Sequence, residues 1–210
     1  MTSFDSVKTL ADDIIETEPR IDYLIFNSGV MALPQLILTE HGFEMQIATN
    51  HIGHHYLFSL LEPMLLSQSC PCRIITLSSC AHSVRLIYMF FCFLILFLVP
   101  YLFHRHTFAF TFLYTTTILI KNGINLLLQW GDIDVNDINF TKGRPYEALT
   151  AYGQSKTANL LFAKSLADRF KYRPAGREII SLSVHPGVIK TNLGRYMGKV
   201  QSEHILLAFI

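Results

Sequence analysis

Apolar positions follow two spacings along this chain, and the switch between them predicts helices and strands in turn. Phe4, Val7, Leu10, Ile14 and Ile15 recur at helical spacing, with Asp5 or Ser6 to cap the start and Pro19 to close the element. Ile21 to Phe26 is a short β-rich run ending in Asn27-Ser28-Gly29, which suits a buried parallel strand running into a tight loop. A longer helix is predicted from Glu40 to Leu66, where Phe43, Ile47, Asn50, His54, Leu57, Leu61 and Leu65 share a stripe. Asn50 stands out there as a small polar side chain among apolar ones. The next strand, Arg73 to Ser78, follows Cys70-Pro71-Cys72 and leaves Ser78 and Ser79 at its carboxyl end. A helix is predicted from Tyr146 to Phe170, burying Ala158, Leu161, Phe162, Ser165 and Leu166, with Tyr152 and Lys156 four apart on one face. A last strand, Ile179 to Val184, runs into His185-Pro186-Gly187. This alternation implies an α/β fold whose parallel sheet is covered on both faces, with function at the carboxyl ends of the strands.

One block breaks the pattern. From Leu86 to Ile120 the only charged residue is Arg105, and 11 of the chain's 26 aromatics lie there. Its apolar core, Leu86 to Phe103, has 18 residues without a charge, against roughly 20 for a helix that crosses a bilayer. The block from 86 to 129 therefore behaves as an apolar, helical insertion protruding from a single domain spanning 1–210. Two origins fit it, a membrane segment and translated non-coding sequence.

Charge changes the picture mainly by exclusion. With 17 basic and 16 acidic residues the net charge is +1, so nucleic-acid binding, which needs a basic footprint, is not expected. Cys70, Cys72, Cys80 and Cys92 lack zinc spacing and disulfide density and read as free thiols. The polar, acidic start carries no signal-peptide pattern, which points to the cytoplasm, or to a membrane if Leu86 to Phe103 spans one. No carboxylate or cysteine stands at metal-site spacing to His54, His55 or His185, so they read as packing or loop histidines and no metal is expected.

The chemistry gathers at Asn50, Ser79, Tyr152 and Lys156. A tyrosine hydroxyl titrates near ~10 in water, so it works as an acid or base at neutral pH only beside a cation. Lys156, one turn on, supplies that charge. The run Ala151-Tyr152-Gly153-Gln154-Ser155-Lys156-Thr157-Ala158-Asn159 resembles the active-site helix of the short-chain dehydrogenases/reductases, in particular the branch similar to retinol dehydrogenases. Four more runs resemble that family in the same order: Phe26 to Met31, Asn50-His51-Ile52-Gly53-His54, Arg73 to Ser79, and His185-Pro186-Gly187-Val188 with Thr191.

The resemblance implies a Rossmann-like doubly wound sheet and NAD- or NADP-dependent interconversion of a carbonyl and an alcohol on a small molecule. It implies that Tyr152 exchanges a proton with the substrate oxygen, that Ser79 rather than Ser78 holds that oxygen, and that Asn50 seats a water beside Lys156. Lys156 would also bind the nicotinamide ribose, with Asn27, Gly29, Tyr152, Pro186, Gly187 and Thr191 lining the cofactor.

Two departures qualify this. The family's Thr-Gly-x-x-x-Gly-x-Gly phosphate loop is absent, since the first glycine is Gly29 and the opening residues already resemble the helix before the family's fourth strand. The expected fold is thus a partial Rossmann-like sheet lacking its N-terminal strands, with weak or no cofactor binding and reduced or absent activity. Ser79 and Tyr152 also stand 73 positions apart, and setting aside 86–129 reduces that to 29, a separation the branch accommodates. A non-catalytic, membrane-anchored remnant of the family is the alternative.

Overall fold

The protein is described by a computed structural model over residues 1–79, 131–187 and 191–196. The expected insertion at 86–129, with its apolar core, lies outside the described residues. Three strands, β1 (Tyr23–Phe26), β2 (Cys72–Leu77) and β3 (Ile179–Val184), form one parallel sheet in the order β1-β2-β3. Register places Tyr23 beside Arg73 and Arg73 beside Ile180, so all three strands run out at the same edge. Their next residues are Asn27, Ser78 and His185, which gathers the three predicted loops at one end of the sheet.

The helices are α1 (Phe4–Thr17), α2 (Met45–Ile47), α3 (Gly53–Ser67) and α4 (Ala148–Phe170), with a π-turn at Ala48–Ile52 joining α2 to α3 and a 3-10 helix at Asn192–Tyr196. Val7 and Ala11 of α1, Leu57, Phe58, Leu61 and Leu65 of α3, and Phe162, Leu166 and Phe170 of α4 pack in one core over Leu24, Phe26, Cys72, Ile74 and Ile179. Gln68 closes it at the far end, its amide accepting from Ile21 N and donating to Ile21 O, as a neighbouring strand would.

Coverage of both faces is not what the described residues show. The opposite face carries Tyr23, Ile25, Ile180, Leu182 and Val184, all exposed. The alternation along each strand is as expected for a two-sided sheet, but the packed core collects α1, α3 and α4 on one side.

One element boundary and one buried face also differ. The long helix starts at Met45 rather than Glu40, because Gly42 turns left-handed and the Glu44 carboxylate caps the N–H groups of Gln46 and Ile47 at 2.9 Å each. In α4, Leu161 and Ser165 face solvent and Ala163 is buried instead. The buried set 158, 162, 166, 170 and 159, 163 follows i,i+4 rows that exclude 161 and 165. Among the described residues no helix is long and apolar enough to cross a membrane.

Candidate active site

The site is assembled where α4 crosses the carboxyl ends of the strands. The first turns of α4 are buried all round, from Thr150 to Lys156, because the sheet, the π-turn and the 131–146 loop enclose them. Tyr152 and Lys156 are each 6% exposed, and the Lys156 ammonium lies 5.5 Å from the centre of the Tyr152 ring. Lys156 Nζ donates to the carbonyl of Leu77 at 3.0 Å, and Asn159 donates to the same carbonyl at 2.9 Å. Two donors on one strand-end carbonyl fix the height of α4 over β2. Ser78 adds a third tie, its hydroxyl donating to Lys156 O at 2.8 Å. Burial pushes the Lys156 ammonium down to about 8, the direction expected for a cation taken out of water.

Asn50 sits at the middle of the π-turn, where the Gly53 N–H reaches back to Ala48 O. π-Turns inside helices cluster at functional sites because the widened turn frees backbone groups for other partners. Here the freed Asn50 carbonyl accepts from His54 Nδ1 at 2.9 Å. The Asn50 side chain accepts from Val30 N at 2.8 Å and donates to Val30 O at 3.0 Å and Ser155 Oγ at 2.8 Å. These direct contacts of the Asn50 amide bind the loop after β1 to α4. Gly29 is needed beside it, since a Cβ there would come within 3.1 Å of Asn50 Oδ1.

The remaining predicted residues occupy the same end of the sheet. Ser79 is buried at the end of β2, two residues past the Leu77 carbonyl that holds Lys156. Asn27, Pro186, Gly187 and Thr191 are exposed. Gly187 is left-handed, with φ of 76°, and turns the chain back after Pro186. Gly194 of the 3-10 helix lies against Met31 of the loop after β1. His54 packs in the core on Phe26, His55 and His185 are exposed, and burial pushes His51 and His54 down to about 4. Cys70 and Cys72 are free.

Sequence reasoning missed a second layer of polar residues. Gln46 is fully buried, accepting from Ala32 N at 2.9 Å and donating to Ala148 O at 2.8 Å and the Tyr146 hydroxyl at 3.0 Å. Asp137 takes the N–H groups of Thr141, Lys142 and Arg144, and Arg144 in turn donates to Gln154 between Tyr152 and Lys156. The available signal was the i,i+4 spacing of Gln46 and Asn50, two amides on one apolar stripe.

No family model matches the chain. It is 35% identical to retinol dehydrogenase 13 from Homo sapiens over 198 residues, which cover 94% of this chain and 44% of that protein. The chain thus spans less than half the length of the curated relatives it matches. Among solved structures, an uncharacterised protein from Mycobacterium paratuberculosis is 30% identical with a TM-score of 0.57, matching 99% of this chain and 55% of that one. The active-site complex of Pseudomonas aeruginosa RhlG with NADP shares the fold at a TM-score of 0.52 and 18% identity, over 99% of this chain and 59% of that one.

Proposed function

This chain belongs to the short-chain dehydrogenase/reductase family, on its retinol-dehydrogenase-like branch, and we propose that its site serves the NAD(P)-dependent interconversion of a carbonyl and an alcohol on a small molecule. The observation that carries the reading is the buried Lys156 ammonium, fixed on Leu77 O beside the Tyr152 ring. A cation held there favours the tyrosinate, so Tyr152 can give a proton to an alkoxide oxygen in reduction and take it back in oxidation. Ser78 is committed to the α4 backbone, which supports Ser79 as the serine that holds the substrate oxygen. Asn50 keeps the loop after β1 at a fixed distance from α4 and acts through position rather than contact.

The residues present fit the nicotinamide end of a dinucleotide. Gly29 leaves the loop after β1 close against Asn50, Gly187 is left-handed in the loop after β3, and Lys156 is held on the end of β2 between those two strands. Asn27, Gly29, Tyr152, Lys156, Pro186, Gly187 and Thr191 are the groups that would line it. The cofactor supplies the hydride, and the chain supplies orientation and the proton. For the adenosine and diphosphate end the sequence offers no glycine loop, so weak binding of NAD and NADP is part of the proposal.

Single-turnover reduction of an aldehyde panel by NADH or NADPH, with the chain in excess, tests this. Slow reduction is expected in the wild type, falling by about 10²-fold or more in Tyr152→Phe with folding intact. Reduction unaffected by that substitution contradicts the assigned chemistry.

A further inference from the structure

We propose that Gln46 is a positioning residue which, with Asn50 one helical turn on, sets the spacing between the loop after β1 and the first turn of the Tyr152 helix. The proposal rests on the reading of Tyr152 and Lys156 above and extends it to the groups that hold them in place.

Gln46 and Asn50 make the same kind of bridge twice. Each side-chain oxygen accepts a loop N–H, from Ala32 at 2.9 Å and from Val30 at 2.8 Å, so the two amides grip alternate residues of one loop. Each side-chain nitrogen donates to α4 or its approach, Gln46 to Ala148 O at 2.8 Å and Asn50 to Ser155 Oγ at 2.8 Å. In an α-helix the Ala148 carbonyl is also the acceptor for the Tyr152 N–H, so Gln46 holds the turn whose other end is Tyr152.

Two further observations make Gln46 more than packing. Ala32 has a φ of 55°, a left-handed conformation that an alanine adopts at a cost, and Gln46 takes its N–H. The Tyr146 hydroxyl accepts from Gln46 at 3.0 Å and donates to Leu33 O at 3.0 Å, so a second path also joins the loop to the start of α4. Burial and the neighbouring Glu44 carboxylate push Tyr146 up to about 12, which keeps that hydroxyl protonated as the bridge requires. A glutamine supplies the acceptor and both donors from one side chain without charge. Methionine matches its length and supplies none of them.

The test is nuclear magnetic resonance of the full chain with ring-13C tyrosine, the Tyr152 signal being assigned through Tyr152→Phe. Lys156→Met is the control for the underlying reading and should move the Tyr152 titration. Gln46→Met should move it by about half a pH unit or more, and Tyr146→Phe in the same direction by less, while the exposed Tyr23 and Tyr172 stay where they are. Tyr146→Phe removes a single hydroxyl, so it keeps the test decisive if Gln46→Met does not fold. A Tyr152 signal that responds to Lys156→Met but to neither Gln46→Met nor Tyr146→Phe overturns the positioning role. A Tyr152 signal indifferent to Lys156→Met overturns the reading itself and the inference with it.

Discussion

The two faces of this sheet use the same three strands and similar side chains, yet they end in opposite states. On one, Leu24, Phe26, Cys72, Ile74 and Ile179 are closed over by α1, α3 and α4. On the other, Tyr23, Ile25, Ile180, Leu182 and Val184 remain exposed among the described residues. Residues 24 and 25, or 179 and 180, differ in burial through the direction they point and what stands above them, not through hydrophobicity. The site belongs to the covered side, because Tyr152, Lys156, Asn50 and Gln46 all arrive on elements that pack there. The candidate site can therefore be closely hydrogen-bonded while, among the described residues, the other face of the same sheet stays exposed. An exposed apolar face, and a β1 edge with no strand beside it among the described residues, are surfaces that invite association.

The largest expected contrast is between isoleucines on opposite faces of adjacent strands. Ile74→Ala, in the covered core, should cost about 2–5 kcal/mol in urea unfolding, whereas Ile25→Ala on the exposed face should stay within about 0.5 kcal/mol. Equal losses would mean that the two faces are equally covered.

Titration sharpens the contrast at the site. Burial lowers Lys156 from its ordinary range to about 8. Between pH 8 and the unfolded lysine value of about 10.5 the unfolded chain therefore binds the extra proton, and stability rises with pH across that window. It is fully present above the window and lost as pH falls through 8. Lys156→Met should abolish that slope and recover up to about 3 kcal/mol at pH 7. Burial likewise holds His51 and His54 near 4, so stability should fall as the pH drops from about 6.5 to 4. A chain whose unfolding midpoint is flat from pH 7 to 10.5 would contradict the burial of Lys156.

Asn50→Ala should cost about 1–3 kcal/mol by leaving buried partners unpaired. It should open the Val30 amide to hydrogen exchange ahead of the core. Exposed-face changes should act least on folding: Ile25→Thr with Leu182→Thr should shift it by no more than about 1 kcal/mol while reducing self-association in sedimentation.

Strands, helices and the tyrosine–lysine pair were legible because each is written in local periodicity: Ile179–Val184 matches its expected bounds, and Tyr152 and Lys156 share the buried stretch of α4. The π-turn at Ala48–Ile52 left no such mark, since inserting one residue in a turn alters hydrogen-bond partners without altering the apolar stripe. Leu161 is exposed rather than buried because its phase sets it off the row of Ala158, Phe162 and Leu166, which apolar character alone does not report. Gln46 escaped notice because its value lies in partners far along the chain, Ala32, Tyr146 and Ala148. The bare face was hidden for a related reason: strand alternation reports which residues share a side, not what lies over it.

On the proposed function, the residues of this chain meet the nicotinamide end of the cofactor and little of the rest. Calorimetric titration of the full chain with NADP, NAD and nicotinamide mononucleotide tests it directly. Comparable, weak affinities are expected, with dissociation constants near ~1 mM and all three within about fivefold, because only the shared nicotinamide ribose meets Lys156 and the strand-end loops. Micromolar binding of NADP or NAD with mononucleotide binding about 10²-fold weaker would contradict the claim, because the adenosine half would then be adding the affinity.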